Sequence, residues 1–270
     1  DVVSVPEITA LSNDAEPCMK STDVINFFPS IFPNNEAYTY QWTSNNGFSD
    51  TSRNPTITNV TQQDTGIYTL VVLNEGCPSE PFETIVNFHI TPATPSILSP
   101  PFYCSGDTIR INILDGNTNF TYRWATPLGQ VNSSSEGLLI PNAAAINSGM
   151  YSLQAISEGC ASELSDTLNI EVRTKPQTPI ITTNSPVCFG DIIMLNANVV
   201  SGATYSWTGP NFSSNVRNPI IPNASSINEG VYTLTIQQNG CFSNVAQSQN
   251  IEITDEIRIP AFSESVINVC

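Results

Sequence analysis

The sequence predicts an all-β chain built as tandem two-sheet sandwiches, and three observations predict it. First, the seven cysteines fall into two interleaved series: Cys18, Cys104, Cys188 and Cys270 step by 86, 84 and 82 residues, and Cys77, Cys160 and Cys241 by 83 and 81. Second, the same landmarks return between them in the same order. Third, apolar and polar residues alternate with a period of two in short runs bounded by Asn, Gly, Ser and Pro, the pattern of half-buried strands between turns. Self-similarity at a fixed period is the mark of a repeat array. The 270 residues thus divide into repeats at 1–92, 93–175 and 176–255, with 256–270 opening a fourth.

Each repeat reads the same way from start to end. An alternating strand comes early, as in Ile109-x-Ile111-x-Ile113 and Ile193-x-Leu195-x-Ala197. Tyr-x-Trp follows at Tyr40–Trp42, Tyr122–Trp124 and Tyr205–Trp207. Arg-Asn-Pro stands at 53–55 and 217–219, and Ile-Pro-Asn-Ala at 140–143 and 221–224, each pair at one fixed distance before a later tyrosine. That tyrosine sits in Gly-x-Tyr-x-Leu, at Tyr68, Tyr151 and Tyr232, and lies nine residues before the cysteine of a Gly-Cys pair. No stretch holds a 3.6-residue period, so helices are nearly absent. Seven or so short strands per repeat suit a two-sheet sandwich.

These landmarks resemble an immunoglobulin-like domain. Gly106-Asp107 opens an alternating strand, Trp124 follows seventeen residues after Asp107, and Asn147-Ser-Gly-Met-Tyr151 comes next. In that fold they mark strand B, the core tryptophan of strand C, and the tyrosine corner before strand F. The resemblance implies core roles for Trp42, Trp124, Trp207, Tyr68, Tyr151 and Tyr232. Asp64, Asn147 and Asn228, four residues before the tyrosines, could ligate calcium or fix the turn, and the turn is the simpler role. One departure stands out: where antibody domains carry a cysteine two residues after the tyrosine, this chain has Leu70, Leu153 and Leu234. The usual inter-sheet disulfide is missing, and the cysteines lie outward, at turns.

That second pattern resembles the Ig-like repeats of very large type IX-secreted surface adhesins of gliding bacteria. It rests on Cys188-Phe-Gly-Asp191, on Trp207-Thr-Gly-Pro-Asn-Phe-Ser213, and on Gly240-Cys241 with Ser243 behind it. The second repeat keeps Cys104-Ser-Gly-Asp107, whereas the first departs with Cys18-Met-Lys-Ser-Thr-Asp23. The resemblance implies a non-catalytic stalk on the cell surface, exported across the outer membrane, that transmits force in adhesion and gliding. Its partners would be neighbouring repeats and, through other parts of the protein, the gliding machinery and surface polysaccharide. Asp107-Thr108-Ile109 and Asp166-Thr167-Leu168 resemble the O-glycosylation pattern of the same group, which makes Thr108 and Thr167 candidates for modification.

Immunoglobulin geometry bears on how the cysteines pair. Strands B and F run in the same direction on opposite sheets. Cys104 lies nine residues before Ile113, at the A–B turn, and Cys160 seven residues after Leu153, at the F–G turn. If Ile113 and Leu153 face each other, the two cysteines are up to about 50 Å apart at roughly 3.3 Å per residue, whereas a disulfide holds Cα atoms roughly 4.4–6.8 Å apart. In an end-to-end array the A–B turn of one repeat meets the F–G turn of the next. Cys18–Cys160 and Cys104–Cys241 are then the expected bonds, with Cys77, Cys188 and Cys270 pairing outside this segment. One bond inside each repeat is the alternative, and it holds if Cys104 is misplaced. Proline-rich links at Thr91–Pro95 and Thr174–Pro179 are already semi-rigid. Clamped, the array would be an extended rod with roughly 35–40 Å per repeat.

Composition narrows the function. Twenty-four acids against eight bases give a formal charge of −16, which repels a phosphate backbone and excludes nucleic acid. No apolar run approaches the span of a bilayer. The one histidine, His89, lies in the strand-like FETIVNFHI without His or Cys neighbours at ligand spacing. No phosphate loop, metal motif, cofactor site or catalytic residue is found, so the chain is not expected to be an enzyme. Five Asn-x-Ser/Thr sequons, at Asn59, Asn119, Asn132, Asn211 and Asn223, would matter in a eukaryotic receptor ectodomain, a third reading. Phe48 and Phe212 follow their tryptophans by six and five residues. Either they are exposed and stack on sugars, the mark of a carbohydrate-binding or spacer array on a secreted polysaccharide-degrading protein, or they tuck against their own sheets.

Overall fold

The computed structural model describes residues 4–133 and 137–254. Alternation builds the sheets: Ile109 and Ile111 are buried, while Arg110 between them and Asn112 after them are exposed. The same in-out rhythm runs through Tyr68, Leu70 and Val72 and through Tyr232, Leu234 and Ile236. Successive side chains of a strand point to opposite faces, so each run supplies one wall of a core. Burying a large apolar side chain contributes about 1.5–3 kcal/mol.

In the first repeat one sheet orders Glu7–Asn13, Val24–Phe32 and Thr56–Thr58, and the other orders Ser49–Asp50, Thr39–Ser44 and Gly66–Asn74. The third matches it, with Ile181–Thr183, Ile193–Ala197 and Ile220–Ile221 in one sheet and Phe212–Ser214, Thr204–Gly209 and Thr233–Gln238 in the other. The second has Ile97–Leu98, Ile109–Ile113 and Leu138–Ile140, and Gly129–Ser133, Thr121–Thr126 and Gly149–Ser157. Contacts group the chain into two units: Asp1–Pro101, Arg110–Ile140 and Asn147–Ile170 in one, and Phe102–Ile109, Pro141–Ile146 and Glu171–Cys270 in the other.

The register of the tryptophan strand against the tyrosine strand is the same in all three repeats. Trp42 stands opposite Leu70, Trp124 opposite Leu153, and Trp207 opposite Leu234. The leucines that replace the antibody cysteine therefore pack beside the core tryptophans. The helical content among the described residues is three single 3-10 turns, Gln62–Asp64, Ala145–Asn147 and Ser226–Asn228.

The strands are more broken than the seven or so per repeat expected. The last one is interrupted: Cys77–Pro78 and Phe82–Val86 both pair with Gly66–Asn74. The cause is a buried serine at the break. Val72 N–H donates to Ser79 Oγ at 3.0 Å, Ser79 N–H donates to the Val72 carbonyl at 2.7 Å, and Ser79 Oγ donates to the Glu80 carbonyl at 2.9 Å. A hydroxyl takes the place of a ladder carbonyl, so the strand leaves and rejoins the sheet without orphaning a buried N–H.

Candidate functional site

The cysteines sit in two recurrent local structures. The first is a short parallel pairing followed by an aspartate-held turn. Cys18 pairs with His89, Cys104 with Arg173, and Cys188 with Thr254. Beyond the cysteine, Asp107 N–H donates to the Cys104 carbonyl at 3.0 Å and Asp191 N–H to the Cys188 carbonyl at 3.1 Å. The longer Cys18-Met-Lys-Ser-Thr-Asp23 insertion keeps the device two residues on: Asp23 N–H donates to the Lys20 carbonyl and Lys20 N–H to Asp23 Oδ2, at 2.9 and 2.7 Å.

The second structure is a tight hairpin that presents the other cysteine. Its two central residues both have positive φ: 48° and 87° at Glu75-Gly76, 49° and 85° at Glu158-Gly159, and 52° and 82° at Asn239-Gly240. Two positive φ values in succession match strand twist in a two-residue turn and call for glycine at the second position. Cys77, Cys160 and Cys241 follow, opposite Asn74, Ser157 and Gln238. A buried serine two residues on anchors each hairpin. Ala155 N–H donates to Ser162 Oγ at 3.0 Å and Ile236 N–H to Ser243 Oγ at 3.1 Å, repeating the Ser79 arrangement.

Two bonds join the two kinds of structure. Cys18 is bonded to Cys160 with Cα atoms 5.5 Å apart, and Cys104 to Cys241 at 5.7 Å, across sequence separations of 142 and 137. Cys160 and Cys241 are 1% and 0% exposed, whereas Cys77, in the same hairpin position, is half-buried and unbonded. Cys188 is exposed and unbonded, with Thr254 Oγ1 3.9 Å from its sulfur. Cys270 lies outside the described residues.

Each bond has its own surroundings. Beside Cys18–Cys160, Lys20 Nζ lies 2.9 Å from Glu163 Oε1. The hydrogen bond and the charge of each partner raise the lysine pKa and lower that of the glutamate. A cavity of about 680 Å³ opens next to it, lined among others by Lys20, His89, Phe120 and Glu163. Beside Cys104–Cys241 the Arg173 guanidinium lies 3.9 Å from the centroid of Phe102. It also donates to the Asn239 carbonyl at 3.1 Å and pairs with Glu171 at 2.8 Å.

The remaining sequence candidates fall as follows. Trp42, Trp124, Trp207, Tyr68, Tyr151 and Tyr232 are all fully buried. The tyrosine hydroxyls donate to the carbonyls of Asp64, Asn147 and Asn228 at 2.8, 2.7 and 2.9 Å. Burial raises the pKa of all three tyrosines. The Asp64 carboxylate accepts from Thr61 N–H at 2.7 Å, which makes it a turn residue. His89 is half-buried in its short strand. Thr108 is half-buried and Thr167 exposed, and all five sequon asparagines are exposed, three of them (Asn59, Asn211, Asn223) at positive φ in turns.

Phe48 and Phe212 take the tucked one of the two arrangements the sequence left open. Both are half-buried. Phe48 packs edge-on to Tyr68 at 5.4 Å, and Phe212 edge-on to Tyr232 at 5.9 Å. Aromatic pairs gain from such T-shaped contact, so each ring turns inward onto the tyrosine corner. The serine anchors Ser79, Ser162 and Ser243 escaped the sequence reading as a set, although Gly-Cys-x-Ser occurs in every repeat. The pairs Lys20–Glu163 and Arg173–Phe102 gave no signal, because each joins distant segments and occurs once.

Paired sheets around a buried tryptophan, with a tyrosine hydroxyl bonded to the carbonyl four residues back, define the class. The chain is an all-β array of immunoglobulin-like sandwiches. No family model matches it. It is similar to the I-band fragment I67–I69 of titin, at 14% identity over 92% of this chain and 98% of that one, with a TM-score of 0.43. It is also similar to the FN1–FN3 domains of chicken CNTN1, at 12% identity over 90% and 98%, with a TM-score of 0.38. Murine CEACAM1b matches at 14% identity over 60% of this chain and 98% of its own, with a TM-score of 0.35.

Proposed function

We propose that this chain is a non-catalytic stalk segment of a long cell-surface adhesin filament that transmits force in adhesion and gliding. The kind of protein intended is the type IX-secreted gliding adhesin SprB, which the residues around the cysteines resemble. Residues 1–92, 93–175 and 176–255 are then successive stalk modules and 256–270 begins the next, outside the described residues. The protein is exported across the outer membrane. Its gliding machinery and polysaccharide partners are met through other parts of the chain.

One observation carries the reading. Each disulfide ties the cysteine of a short parallel strand in one repeat to the cysteine hairpin of the next repeat. A bond inside each repeat would stabilise modules singly, whereas a bond between modules opposes bending and twisting at the link. Tension along the chain then bypasses the proline-rich linker and enters the sandwich at two points. The charge of −16 adds self-repulsion and solubility. The inward turn of Phe48 and Phe212 weakens the carbohydrate-binding alternative.

The test is non-reducing peptide mapping of the native full-length protein, paired with force–extension measurements before and after reduction. Peptides joining Cys18 to Cys160 and Cys104 to Cys241, with stiffness lost on reduction, are expected. Cys104 joined to Cys160, or stiffness indifferent to reduction, would overturn the clamp. Gliding cells that adhere and move normally after cysteine-to-serine replacement throughout the repeats would overturn the mechanical role.

A further inference from the structure

The third repeat builds a groove on the outer face of its tryptophan sheet. A cavity of about 430 Å³ opens there, lined among others by Thr204, Ser206, Asn215, Thr235, Gln237 and Phe242. Tyr205, Trp207, Leu234 and Ile236 are buried in the core, so the residues alternating with them face outward. Two rows cross the strands. In one, Thr204 stands opposite Gln237 and Gln237 opposite Phe242. In the other, Ser206 stands opposite Thr235, and Asn215 follows Ser214, the partner of Trp207.

The shared register lets the same positions be compared between repeats. The first row reads Thr39–Leu73–Pro78 in the first repeat and Thr121–Ile156–Ala161 in the second. The second row holds Gln41 opposite Val71 in the first repeat and Arg123 opposite Gln154 in the second. The Gln154 amide is already engaged, donating to the Ser162 carbonyl at 2.9 Å. The third repeat differs from both, with an amide beside a phenyl ring in one row and two hydroxyls in the other. Among the described residues, none of the side chains of Thr204, Ser206, Asn215, Thr235 and Gln237 makes a hydrogen bond within the protein. Thr208 and Thr233, one row further on, satisfy each other at 2.7 Å. Phe242 is 55% exposed, and none of the described residues lining the groove is charged.

From this we infer that the groove of the third repeat binds a neutral polysaccharide. Hydroxyls and carboxamides each donate and accept hydrogen bonds, as sugar hydroxyls do. The phenyl ring, negative over its face, suits the C–H face of a pyranose. An acidic polysaccharide needs cations, and this groove offers none in a chain of charge −16. A protein partner calls for an aromatic or arginine anchor in a well-packed, desolvated pocket, whereas here one phenyl stands at the end of a row of polar groups. Side chains carried on paired strands are placed before the ligand arrives, which lowers the cost of ordering them on binding. The site is separate from Phe48 and Phe212, whose rings turn onto their tyrosine corners. It adds a contact of this segment's own to those made through other parts of the chain, and it does not depend on the disulfides.

The experiment runs the full 270-residue chain on native gels, through which its negative charge carries it, cast with a β-1,3-glucan, a xylan or a galactomannan, and with alginate as the acidic control. Retardation is expected in at least one neutral gel and not in alginate. Phe242→Ala should weaken it about tenfold or more, and Gln237→Ala about three- to tenfold. Thermal unfolding should be unchanged in both, because neither side chain lies in the core. Phe189→Ala removes a phenyl that is 59% exposed elsewhere in the same repeat and should leave binding as it was. No retardation in any neutral gel, stronger retardation in alginate, or binding that survives both groove substitutions would overturn the inference, as would an equal loss in Phe189→Ala. The peptide map of Cys18–Cys160 and Cys104–Cys241 tests the clamp separately, so either reading can fail alone.

Discussion

The two bonded junctions share a covalent plan and differ in the side-chain contacts beside it. At Cys18–Cys160 the added contact is Lys20–Glu163, whose side chains are 57% and 71% exposed. Surface ion pairs contribute little and are screened by salt. At Cys104–Cys241 the added contact is Arg173, spread over Phe102 and bonded to the hairpin carbonyl of Asn239. A guanidinium stacked on a ring buries part of itself and is less sensitive to salt. What recurs between the junctions is the disulfide, the positive-φ hairpin and the buried serine. The non-covalent contacts are local additions, and once the bond is cut the Lys20–Glu163 junction should open more readily than the one held by Arg173.

The largest expected effect comes from cutting it. Cys160→Ser and Cys241→Ser should each lower unfolding stability by about 2–5 kcal/mol, since a disulfide closing a long loop constrains the unfolded chain strongly. Thermal unfolding with and without reductant measures this. Similar losses at the two sites would show the bond to be the common element. A much smaller loss at Cys241 would show that Arg173 holds its junction alone.

Next come the serine anchors. Ser162→Ala and Ser243→Ala each remove the acceptor of a buried N–H, at a cost of about 1–3 kcal/mol. Hydrogen exchange at Ala155 and Ile236 should rise by the corresponding factor. An unchanged exchange rate would mean that the hairpins hold without their serines.

Arg173→Ala ranks third. It should cost about 0.5–2 kcal/mol, and under reduction it should mobilise the second junction as judged by hydrogen exchange at the Asn239–Cys241 hairpin. Arg173→Lys should recover little, because a point charge does not stack as a planar fork does. Full recovery by lysine would assign the effect to charge alone.

Lys20→Ala should have the smallest effect, and it alone should depend on pH and salt. Glu163 is depressed, so its contribution is present at neutral pH and is lost in acid as pH falls through its lowered pKa. Lys20 is raised, so its part is lost in strong alkali as pH rises through its raised pKa. The difference between Lys20→Ala and the parent chain, measured by denaturant unfolding at low salt, should therefore shrink at both extremes. A difference that persists in acid would place the effect in packing of the lysine stem.

Much of the architecture is legible in local sequence because its causes are local. Ile109-x-Ile111 specifies a half-buried strand through the two-residue period of the pleat. Glu158-Gly159 specifies a tight hairpin because positive φ is cheap only where a glycine can take part of it. The Tyr151 corner follows from a hydroxyl that reaches a carbonyl four residues back. The repetition of these features gives the all-β tandem class without coordinates.

What sequence alone could not decide lies between distant segments. The positions of Phe48 and Phe212 left open whether the rings face solvent or their own sheet, and both fold onto a tyrosine some twenty residues away. The serine hydroxyl that replaces a ladder carbonyl is invisible until the strand is seen to break. Cysteine spacing, read with fold geometry, favoured pairing between repeats without excluding pairing within them. The Cα separations of 5.5 and 5.7 Å come from sandwiches packed across more than a hundred residues. Periodicity encodes what a residue does to its neighbours in the chain, and therefore the fold of each repeat was readable. Which turn meets which hairpin, and whether an arginine or a lysine stands beside the bond, depends on three-dimensional proximity that no local pattern carries.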